Sequence, residues 1–378
     1  MFIGFVAGEA SGDLLAAPVI GALRARLPAV QCAGIAGDRM IDAGADAWWH
    51  VRELSVRGYA EVLRELPRLL RLRGALRARL LAARPAAVVG VDSPDFNLRL
   101  EMQLRAAGVP TVHYVSPSIW AWRPKRIEKV RRAADRVLLV FPFEQEIYDA
   151  AGIAATYVGH PLASIIAPRS DTAAARARLG LPAGEPVVAL LPGSRRAEVQ
   201  HIGGPFIEAA ALMLRREPRL RFVLPVAEPR LRELLVPALT AAGAAAQRIT
   251  PVDGRSHDCL EAADGVLVAS GTATLEAALF GKPMVIAYRM PATSHWIMRQ
   301  MGTVSFVGLP NILAGEGLVP ELLQHDATPN RLADSLLAML DDAPRCDRLR
   351  ERFAAMHASL KRDTPRLAAE AIVATMKR

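Results

Sequence analysis

Short apolar runs alternate with amphipathic stretches along the chain, and this alternation constrains the fold more than any other feature. Apolar runs of strand length lie at 2–7, 30–35, 86–91, 109–115, 136–141, 155–158, 187–191, 220–225, 247–250, 265–269 and 283–287. Amphipathic stretches such as 13–27, 96–107 and 144–151 lie between them. Strands that alternate with helices form parallel sheets covered by helices on both faces. The chain is therefore predicted to be an α/β protein.

A segment rich in proline, alanine and glycine follows residue 160 and separates two halves with the same rhythm. We expect a first domain at 1–165 and a second at 166–340, each a doubly wound parallel sheet. Ligands of such sheets bind beyond the carboxyl ends of the strands, so a cleft between the domains is the expected site. Residues 341–378 are helical in pattern. This tail is predicted to pack on the first domain or on a partner subunit, which is compatible with a homodimer.

The chain is strongly basic, with 47 lysines and arginines against 38 acidic residues and a formal net charge of +9. Such a surface attracts nucleic acid, anionic lipid or phosphorylated substrates. Much of the excess is arginine in an Ala/Arg/Leu-rich sequence, so compositional bias is an alternative explanation. A nucleic-acid-binding protein would carry a known binding motif and a continuous basic stripe. No such motif is found, and no nucleic-acid partner is predicted.

Cysteine usage and hydropathy predict a cytoplasmic chain. The three cysteines, Cys32, Cys259 and Cys346, are far apart and lack metal-ligand spacing, which is typical of a reducing compartment. The first residues, MFIGFVAG, lack the charged start of a secretory signal. Glycine, proline or arginine interrupts every apolar run before it reaches the length of a membrane span.

A glycine turn at 187–199, VVALLPGSRRAEV, links a predicted strand to a predicted helix. Gly193 allows close backbone approach, and Ser194 is expected to cap the helix. The two guanidiniums of Arg195 and Arg196 suit a pyrophosphate both in charge and in fork geometry, and the helix N-terminus adds a dipole of the same sign. The alternative is an ordinary capped helix with solvated arginines.

A second such turn lies at 266–285, VLVASGTATLEAALFGKPMV. Ser270, Gly271 and Thr272 supply donors at a helix start, and the carboxylate of Glu276 can accept both hydroxyls of a ribose. By itself, Glu276 fits a solvated helix residue better. Together with the turn that contains Arg195, the pattern predicts a nucleotide site in the second domain.

The opening turn at 5–15, FVAGEASGDLL, has the same layout but carries two carboxylates. Glu9 and Asp13 would repel a pyrophosphate, and the spacing G-x-G-x-x-G is absent. We therefore expect Glu9, Ser11 and Asp13 to face a second substrate that presents hydroxyl groups.

The stretch 88–100, VVGVDSPDFNLRL, places a carboxylate where chemistry occurs in this fold class. Asp92 ends a predicted strand and is the candidate general base, whereas Asp95 is predicted as the helix N-cap. An Asx turn is the alternative for Asp92. His113 is a rival base, although a single histidine on a strand is more often structural.

Two further segments suggest contacts with a lipid or a sugar. Trp120 and Trp122 lie in a proline-flanked loop with Arg123, where they could stack on a sugar, line an acyl pocket or meet a partner. The basic cluster formed by Arg123, Lys125 and Arg126 could hold a phosphate or a membrane surface. Residues 59–85 form a basic amphipathic segment whose leucines are expected to pack mostly on the sheet, with a membrane contact for part of it.

Taken together, six motifs resemble the lipid-A-disaccharide synthase family, from residue 1 to about residue 325. They are VAGEASGDLL, GVDSPDFNLRL, HYVSPSIWAWRPKRI, LPGSRRAEV, ASGTATLEAAL and LPNILAGEGLVPELLQ, in that order. The resemblance implies the GT-B fold, in which two Rossmann-like domains face a cleft. It also implies an inverting glycosyltransferase that needs neither metal nor cofactor and lies peripherally on the inner face of the inner membrane.

The resemblance further implies the substrates and the roles of individual residues. The donor would be UDP-2,3-diacylglucosamine, and the acceptor would be the 6-hydroxyl of 2,3-diacylglucosamine 1-phosphate. The products would be a β-1,6-linked tetraacyl disaccharide 1-phosphate and UDP. Arg195 would neutralise the leaving diphosphate, Asp92 would deprotonate the acceptor, and Asn311 would bind the donor.

Other enzymes of the same fold are the alternative. The lipid-II-forming N-acetylglucosaminyltransferase and the UDP-N-acetylglucosamine 2-epimerases share the nucleotide half. The stretches AGEASGD and SIWAW in the first half argue against both.

Overall fold

The computed structural model describes residues 1–54, 59–120, 124–290 and 306–376, and the chain divides into two compact units. Unit 1 comprises Met1–Ser164 together with Leu360–Arg378, and unit 2 comprises Ile165–Ser359. The last helical segment of the chain therefore belongs to the same unit as the first strand.

Unit 1 is built on a seven-stranded parallel sheet. Its strands are β1 (Phe2–Ala7), β2 (Gln31–Ala36), β3 (Ala45–His50), β4 (Ala87–Val91), β5 (Thr111–Tyr114), β6 (Arg136–Leu139) and β7 (Ala155–Tyr157). The strand order is β3-β2-β1-β4-β5-β6-β7. The order therefore reverses between β1 and β4, which is where a doubly wound sheet opens a crevice.

Helices connect these strands and cover the sheet. They are α1 (Ala10–Arg26), α2 (Asp38–Asp42), α3 (Tyr59–Ala83), α4 (Pro94–Ala106), α5 (Ile127–Ala133), α6 (Glu144–Ala150) and, at the unit boundary, α7 (Leu162–Ile165). Two short 3-10 turns lie at Val51–Glu53 and Pro124–Arg126.

Unit 2 repeats the plan with six parallel strands. They are β8 (Val187–Leu191), β9 (Arg221–Val226), β10 (Ile249–Asp253), β11 (Gly265–Ala269), β12 (Met284–Tyr288) and β13 (Glu321–Leu323). The strand order is β10-β9-β8-β11-β12-β13, so the reversal lies between β8 and β11.

The helices of unit 2 continue to the end of the second sheet and beyond it. They are α8 (Thr172–Arg178), α9 (Arg196–Arg216), α10 (Pro229–Ala241), α11 (Ser256–Ala262), α12 (Thr272–Leu279), α13 (Leu309–Ala314), α14 (Pro329–Asp341) and α15 (Ala343–Leu360). The 3-10 segments Gly243–Arg248 and Gln324–Asp326 complete the described part of this unit. The final helix, α16 (Thr364–Met376), lies in unit 1.

The predicted α/β class is confirmed, and each of the eleven predicted strands is present with ends shifted by a few residues. Two strands were not predicted. β3 pairs only with β2 at the sheet edge, where its tryptophans are half-buried, so its sequence ADAWWH has no continuous buried run. β13 spans only three residues, too few to show a period.

Helix α3 buries one stripe of leucines and exposes another part of its surface. Leu72, Leu76 and Leu80 are buried in a cluster with Val6 of β1 and Val88 of β4. The part of the segment from Leu72 to Leu80 therefore packs on the sheet, as predicted. Towards its start, Leu66 is 43% exposed and Leu70 is 45% exposed. No helix among the described residues is both long enough and apolar enough to cross a membrane.

Helix α16 packs against α1 of unit 1. The Arg26 guanidinium lies 3.4 Å from the Glu370 carboxylate, and Arg136 of β6 donates to the Thr375 hydroxyl at 3.2 Å. Ala368, Ala369 and Ile372 of this helix are buried. Thus residues that follow all of unit 2 in the chain complete the packing of unit 1.

Asp13 is a structural carboxylate of unit 1. It is 5% exposed, and its oxygens accept hydrogen bonds from the backbone N–H groups of Gly37 at 2.9 Å, Arg39 at 3.1 Å and Met40 at 3.0 Å. These N–H groups belong to the first turn of α2 and have no partner within their helix. Asp13 therefore caps α2 from α1 and ties the two helices together.

We predict that replacing Asp13 with alanine lowers the free energy of unfolding of unit 1 by about 1–3 kcal/mol, because three backbone donors, two of them buried, lose their acceptor. Urea unfolding followed by tryptophan fluorescence measures this, since four of the five tryptophans lie in unit 1. Ser11→Ala, an exposed change on the same helix, is the matched control. Equal urea midpoints for the two variants would contradict the capping role.

Candidate functional site

A pocket of about 340 Å³ lies at the carboxyl ends of β8 and β11 in unit 2. These neighbouring strands flank the reversal of strand order, so the turns after them meet at one edge of the sheet. The lining includes Gly193, Ser194, Arg195, Glu198, Ser270, Gly271, Thr272 and Glu276. Both glycine turns predicted to bind a nucleotide thus line one pocket.

The turn after β8 is arranged to bind an anion, and in this structure a carboxylate of the protein occupies it. Glu198 Oε2 accepts the backbone N–H of Ser194 at 3.1 Å and that of Arg195 at 3.2 Å. Its Oε1 lies 3.4 Å from Arg195 Nη1. Gly193 has φ +105°, and a Cβ there would lie 2.3 Å from Glu198 Oε2, so only glycine allows this approach.

The contacts of Glu198 bear on two predictions at this turn, the helix cap and the anion-binding arginine. The cap at the start of α9 was assigned to Ser194, which is wrong: Arg195 is the N-cap, and Glu198 closes the capping box. The Arg195 side chain is 81% exposed, so its guanidinium is available to a ligand. Any phosphate bound by these N–H groups must first displace the Glu198 carboxylate.

The turn after β11 supplies a polar wall. Its Ser270 hydroxyl donates to the Val307 carbonyl at 2.9 Å, and Thr272 begins α12. Glu276 lies one turn into α12, with its Oε2 3.6 Å from His257 Nε2. This carboxylate raises the pKa of His257. Glu276 therefore lines the pocket and has one carboxylate oxygen beside a histidine.

Asn311 was predicted to bind the donor, but the structure gives its amide a full set of protein partners. It is fully buried, donates to the Val319 carbonyl at 2.9 Å and to Glu321 at 2.8 Å, and accepts from Val319 N–H at 3.0 Å. It is not among the residues that line the pocket. Its donor-binding role stays a prediction, and its observed contacts shape the chain from α13 to β13.

In unit 1 the turns after β1 and β4 meet at the corresponding reversal of strand order. Glu9 is the N-cap residue of α1, and Ser11 is exposed in its first turn. Asp92 follows β4 and is partly exposed. A Cβ at Gly8 would lie 1.9 Å from Ser93 Oγ, so the two turns are in direct contact. The structure thus brings Glu9, Ser11 and Asp92 to one edge of this sheet.

Asp95 is not the N-cap of α4, contrary to the prediction. Ser93 holds that position, and Pro94 is the first helical residue, where its missing N–H costs nothing. The Asp95 side chain is instead 88% exposed and pairs with Arg126 at 2.8 Å. This pairing also engages one cation of the basic cluster near Trp120.

His113 lies inside unit 1. Its Nδ1 is 2.8 Å from Glu101 Oε1, and both side chains are buried. Burial raises the pKa of Glu101. This agrees with the interpretation of His113 as a structural histidine. Neither Glu101 nor the buried Asn97 was predicted as a functional residue from the sequence; their spacing of four residues on one face of α4 was the available signal.

Trp120 lies near the carboxyl ends of β5 and β6, beside a buried acid. Its indole N–H donates to Glu144 Oε1 at 3.1 Å, and its ring stands edge-on to Phe143 at 5.3 Å. Burial raises the pKa of Glu144 to about 7. Trp122 and Arg123, which were predicted with it on the acceptor side, lie outside the described residues. Within the described ranges, no three acidic, histidine or cysteine residues group as metal ligands would.

Comparison with known proteins shows similarity over almost the entire chain. The family model described as lipid-A-disaccharide synthetase matches residues 3–373. The chain is 54% identical to the lipid-A-disaccharide synthase of Burkholderia vietnamiensis over 99% of its own length and 96% of that protein's length. It is 52% identical to the enzyme of the same name from Paraburkholderia phymatum, with the same coverage.

Solved structures with low sequence identity share the fold. A UDP-N-acetylglucosamine 2-epimerase from Listeria monocytogenes, described as putative, has a TM-score of 0.65 at 14% identity, covering 100% of this chain and 95% of that one. The UDP-GlcNAc 2-epimerase of Neisseria meningitidis, solved with UDP-GlcNAc bound, has a TM-score of 0.63 at 14% identity and covers 100% of both chains. The calicheamicin glycosyltransferase CalG4 has a TM-score of 0.62 at 15% identity, covering 100% of this chain and 98% of that one. The predicted GT-B fold is confirmed.

We predict that Glu198→Gln strengthens the binding of inorganic pyrophosphate about fivefold. A like charge about 4 Å away in water costs about 1 kcal/mol, and the variant removes that charge from the turn. Titration calorimetry at fixed ionic strength measures the dissociation constant. Glu208→Gln, the same change on an exposed face of α9, should leave it unchanged. Weaker binding by Glu198→Gln would mean that the carboxylate supports the anion site and does not compete with its ligand.

Proposed function

Since the chain belongs to the lipid-A-disaccharide synthetase family and is a glycosyltransferase of lipid A biosynthesis, we propose the reaction that it catalyses. It transfers 2,3-diacylglucosamine from UDP to the 6-hydroxyl of 2,3-diacylglucosamine 1-phosphate. The products are the β-1,6-linked tetraacyl disaccharide 1-phosphate and UDP. The observation that carries this proposal is the family match across residues 3–373, which spans both units.

The pocket of unit 2 is proposed to hold the UDP moiety. The N–H groups of Ser194 and Arg195, together with the exposed Arg195 guanidinium, would bind the diphosphate once Glu198 moves aside. Charge developing on the leaving diphosphate then meets donors that are already in place, which lowers the barrier to its departure. Arg195 is therefore the proposed catalytic cation.

The opposite wall of this pocket is proposed to hold the sugar of the nucleotide. Ser270, Gly271 and Thr272 approach from the turn after β11, and Glu276 would accept the ribose hydroxyls. Its neighbour His257 could donate to the same hydroxyl group from the other side. Asn311 stays a predicted donor-binding residue, acting through the loop that it braces.

Asp92 is proposed as the general base on the acceptor side. Its carboxylate would take the proton of the acceptor 6-hydroxyl as that oxygen bonds to the anomeric carbon of the donor. The bond from this carbon to the diphosphate oxygen breaks at the same time, and UDP leaves. A single in-line displacement inverts the configuration and yields the β linkage.

The remaining predicted residues are proposed to surround the acceptor. Glu9 and Ser11 lie at the sheet edge that carries Asp92 and can accept or donate hydrogen bonds to sugar hydroxyls. Asp13 would act indirectly, through the α2 turn that it caps. Trp120, together with Trp122 and Arg123, is proposed to contact the sugar, an acyl chain or the 1-phosphate.

We expect UDP release from UDP-2,3-diacylglucosamine to require 2,3-diacylglucosamine 1-phosphate and to continue in EDTA. Arg195→Ala should lower kcat on the order of 100-fold, and Asp92→Asn at least as much, the usual effects of losing a charge-stabilising donor or a general base. The assay measures UDP and the disaccharide product in detergent micelles.

Neighbouring residues provide the controls for this assay. Arg196→Ala and Asp95→Asn make the same chemical changes one and three residues away and should retain most of the activity. If UDP-N-acetylglucosamine were turned over in place of the diacylated donor, the lipid reaction would be excluded, and an epimerase or another UDP-sugar reaction would take its place.

A peripheral position on the inner face of the inner membrane is proposed from helix α3. Its exposed Leu66 and Leu70 lie among Arg68, Arg71 and Arg77 on one helix. Apolar side chains that enter the acyl boundary, with arginines at the headgroups, are typical of interfacial helices. Such a surface would bring the enzyme to lipid substrates. A homodimer stays a prediction.

We predict that Leu66→Glu with Leu70→Glu reduces co-sedimentation with vesicles of phosphatidylglycerol and phosphatidylethanolamine several-fold, because two apolar groups are replaced by charges that the lipid repels. Val236→Glu introduces the same type of charge at a side chain 51% exposed in unit 2 and should have no effect. Unchanged sedimentation of the double variant would exclude this part of α3 as the membrane contact.

A further inference from the structure

The turn that carries Asp92 has a strained backbone. Asp92 has φ +53° and Ser93 has φ +45°, two consecutive residues in the left-handed region without a glycine. Each such residue costs on the order of 1 kcal/mol and persists only where its surroundings hold it. One constraint is the hydrogen bond from Asp92 N–H to the Tyr114 carbonyl at 2.8 Å.

The second constraint is the buried amide of Asn97, on the first turns of α4. Its Nδ2 lies 2.8 Å from the Asp92 carbonyl, 3.2 Å from the Val6 carbonyl and 3.3 Å from the Val91 carbonyl. Val6 belongs to β1 and Val91 ends β4. One amide therefore joins both strands at the reversal of strand order to the backbone of Asp92.

A second buried polar pair, Glu101 and His113, lies next to Asn97 on the same side of α4. Glu101 lies one turn beyond Asn97 on the same face of α4 and contacts His113 of β5 at 2.8 Å. Both Glu101 and Asn97 lie against Gly90 of β4. A Cβ at Gly90 would lie 2.0 Å from Glu101 Oε1 and 3.1 Å from the Asn97 side chain. Helix α4 can therefore sit close to the sheet, and its register along β4 is defined by polar contacts.

Two polar atoms of this buried group have no hydrogen-bond partner in the described part of the chain. They are Asn97 Oδ1 and His113 Nε2. A buried asparagine with a purely structural role would be expected to form hydrogen bonds through its side-chain oxygen as well as through its nitrogen. The Asn97 amide is instead oriented entirely by the carbonyls of β1, β4 and Asp92.

We propose that Asn97 is a positioning residue for the reaction: by holding the Asp92 carbonyl, it keeps the strained turn in the conformation that aims the Asp92 carboxylate at the acceptor hydroxyl. This inference rests on the proposed role of Asp92 as general base. The base is placed by the backbone that carries it, because no described side chain forms a hydrogen bond or an ion pair with its carboxylate.

Asn97→Ala is the first test. It removes the amide nitrogen and with it all three carbonyl contacts, and a displacement of the base by about 1 Å lowers the rate on the order of 100-fold. We expect kcat to fall by about that factor while KM for the donor changes less than threefold. Leu104→Ala, a buried apolar truncation on the same helix, is the control for lost stability. Its kcat should stay within threefold of wild type.

Asn97→Asp gives a readout that a loss of packing would not produce. A protonated carboxyl can donate one hydrogen bond to the Asp92 carbonyl, whereas a carboxylate can donate none. We therefore expect the ratio of kcat to the wild-type value to rise as the pH falls from 8 to 6. The same ratio for Asn97→Ala should be flat across that range. This variant also serves if the alanine variant does not fold.

The outcomes separate the positioning role of Asn97 from the general-base role of Asp92. Near-wild-type kcat in folded Asn97→Ala, or a pH-independent ratio for Asn97→Asp, would overturn the positioning role. A kcat loss in Asn97→Ala no greater than that in Leu104→Ala would overturn it too. If Asp92→Asn kept wild-type activity, the proposed base would fail whatever the Asn97 variants showed. Loss of activity at Asp92 with normal activity at Asn97 would leave the proposed function intact and reject this inference alone.

Discussion

The all-parallel pairing of both sheets is the constraint on which the candidate sites depend. A parallel strand must be followed by a crossover, so each strand ends in a turn at the same edge of its sheet. Where the strand order reverses, helices leave to opposite faces, and the turns between them are left open. Unit 1 places Glu9 and Asp92 at such an edge, and unit 2 places Arg195 and Glu276 there. The two units thus use one geometry for opposite charges.

The charge difference between these edges matches the ligands proposed for each of them. Guanidinium and backbone N–H groups at the turn after β8 suit phosphate oxygens, whereas carboxylates at the turns of unit 1 suit hydroxyl hydrogens. Glu198 is an exception to this separation of charge, because its carboxylate accepts the N–H groups of the turn after β8. The proposed binding of a diphosphate at this turn would therefore be an exchange of acceptors, in which phosphate oxygens replace the Glu198 carboxylate on the N–H groups of Ser194 and Arg195.

Much of this arrangement could be predicted from the sequence because strand burial and glycine turns leave local signals. The eleven strands with continuous apolar runs were predicted, whereas β3 at the sheet edge and the three-residue β13 have no such run. Asp95 was assigned to the helix N-cap because acidic residues are common there; the stronger signal was Pro94, which favours the first helical position. The contacts of Asn97, Glu101 and His113 depend on how α4 sits on β4, and no local pattern encodes that distance.

Helix α16 has a consequence for how the chain acquires its structure during synthesis. Domains usually fold in the order in which the ribosome makes them. Here unit 1 is made first, but the helix that packs on α1 is made only after the whole of unit 2. The ribosome therefore completes the described sequence of unit 2 before it completes that of unit 1. The face of α1 that α16 covers stays open to water or to chaperones while the roughly 340 residues between the two helices are translated, so we expect unit 2 to mature first.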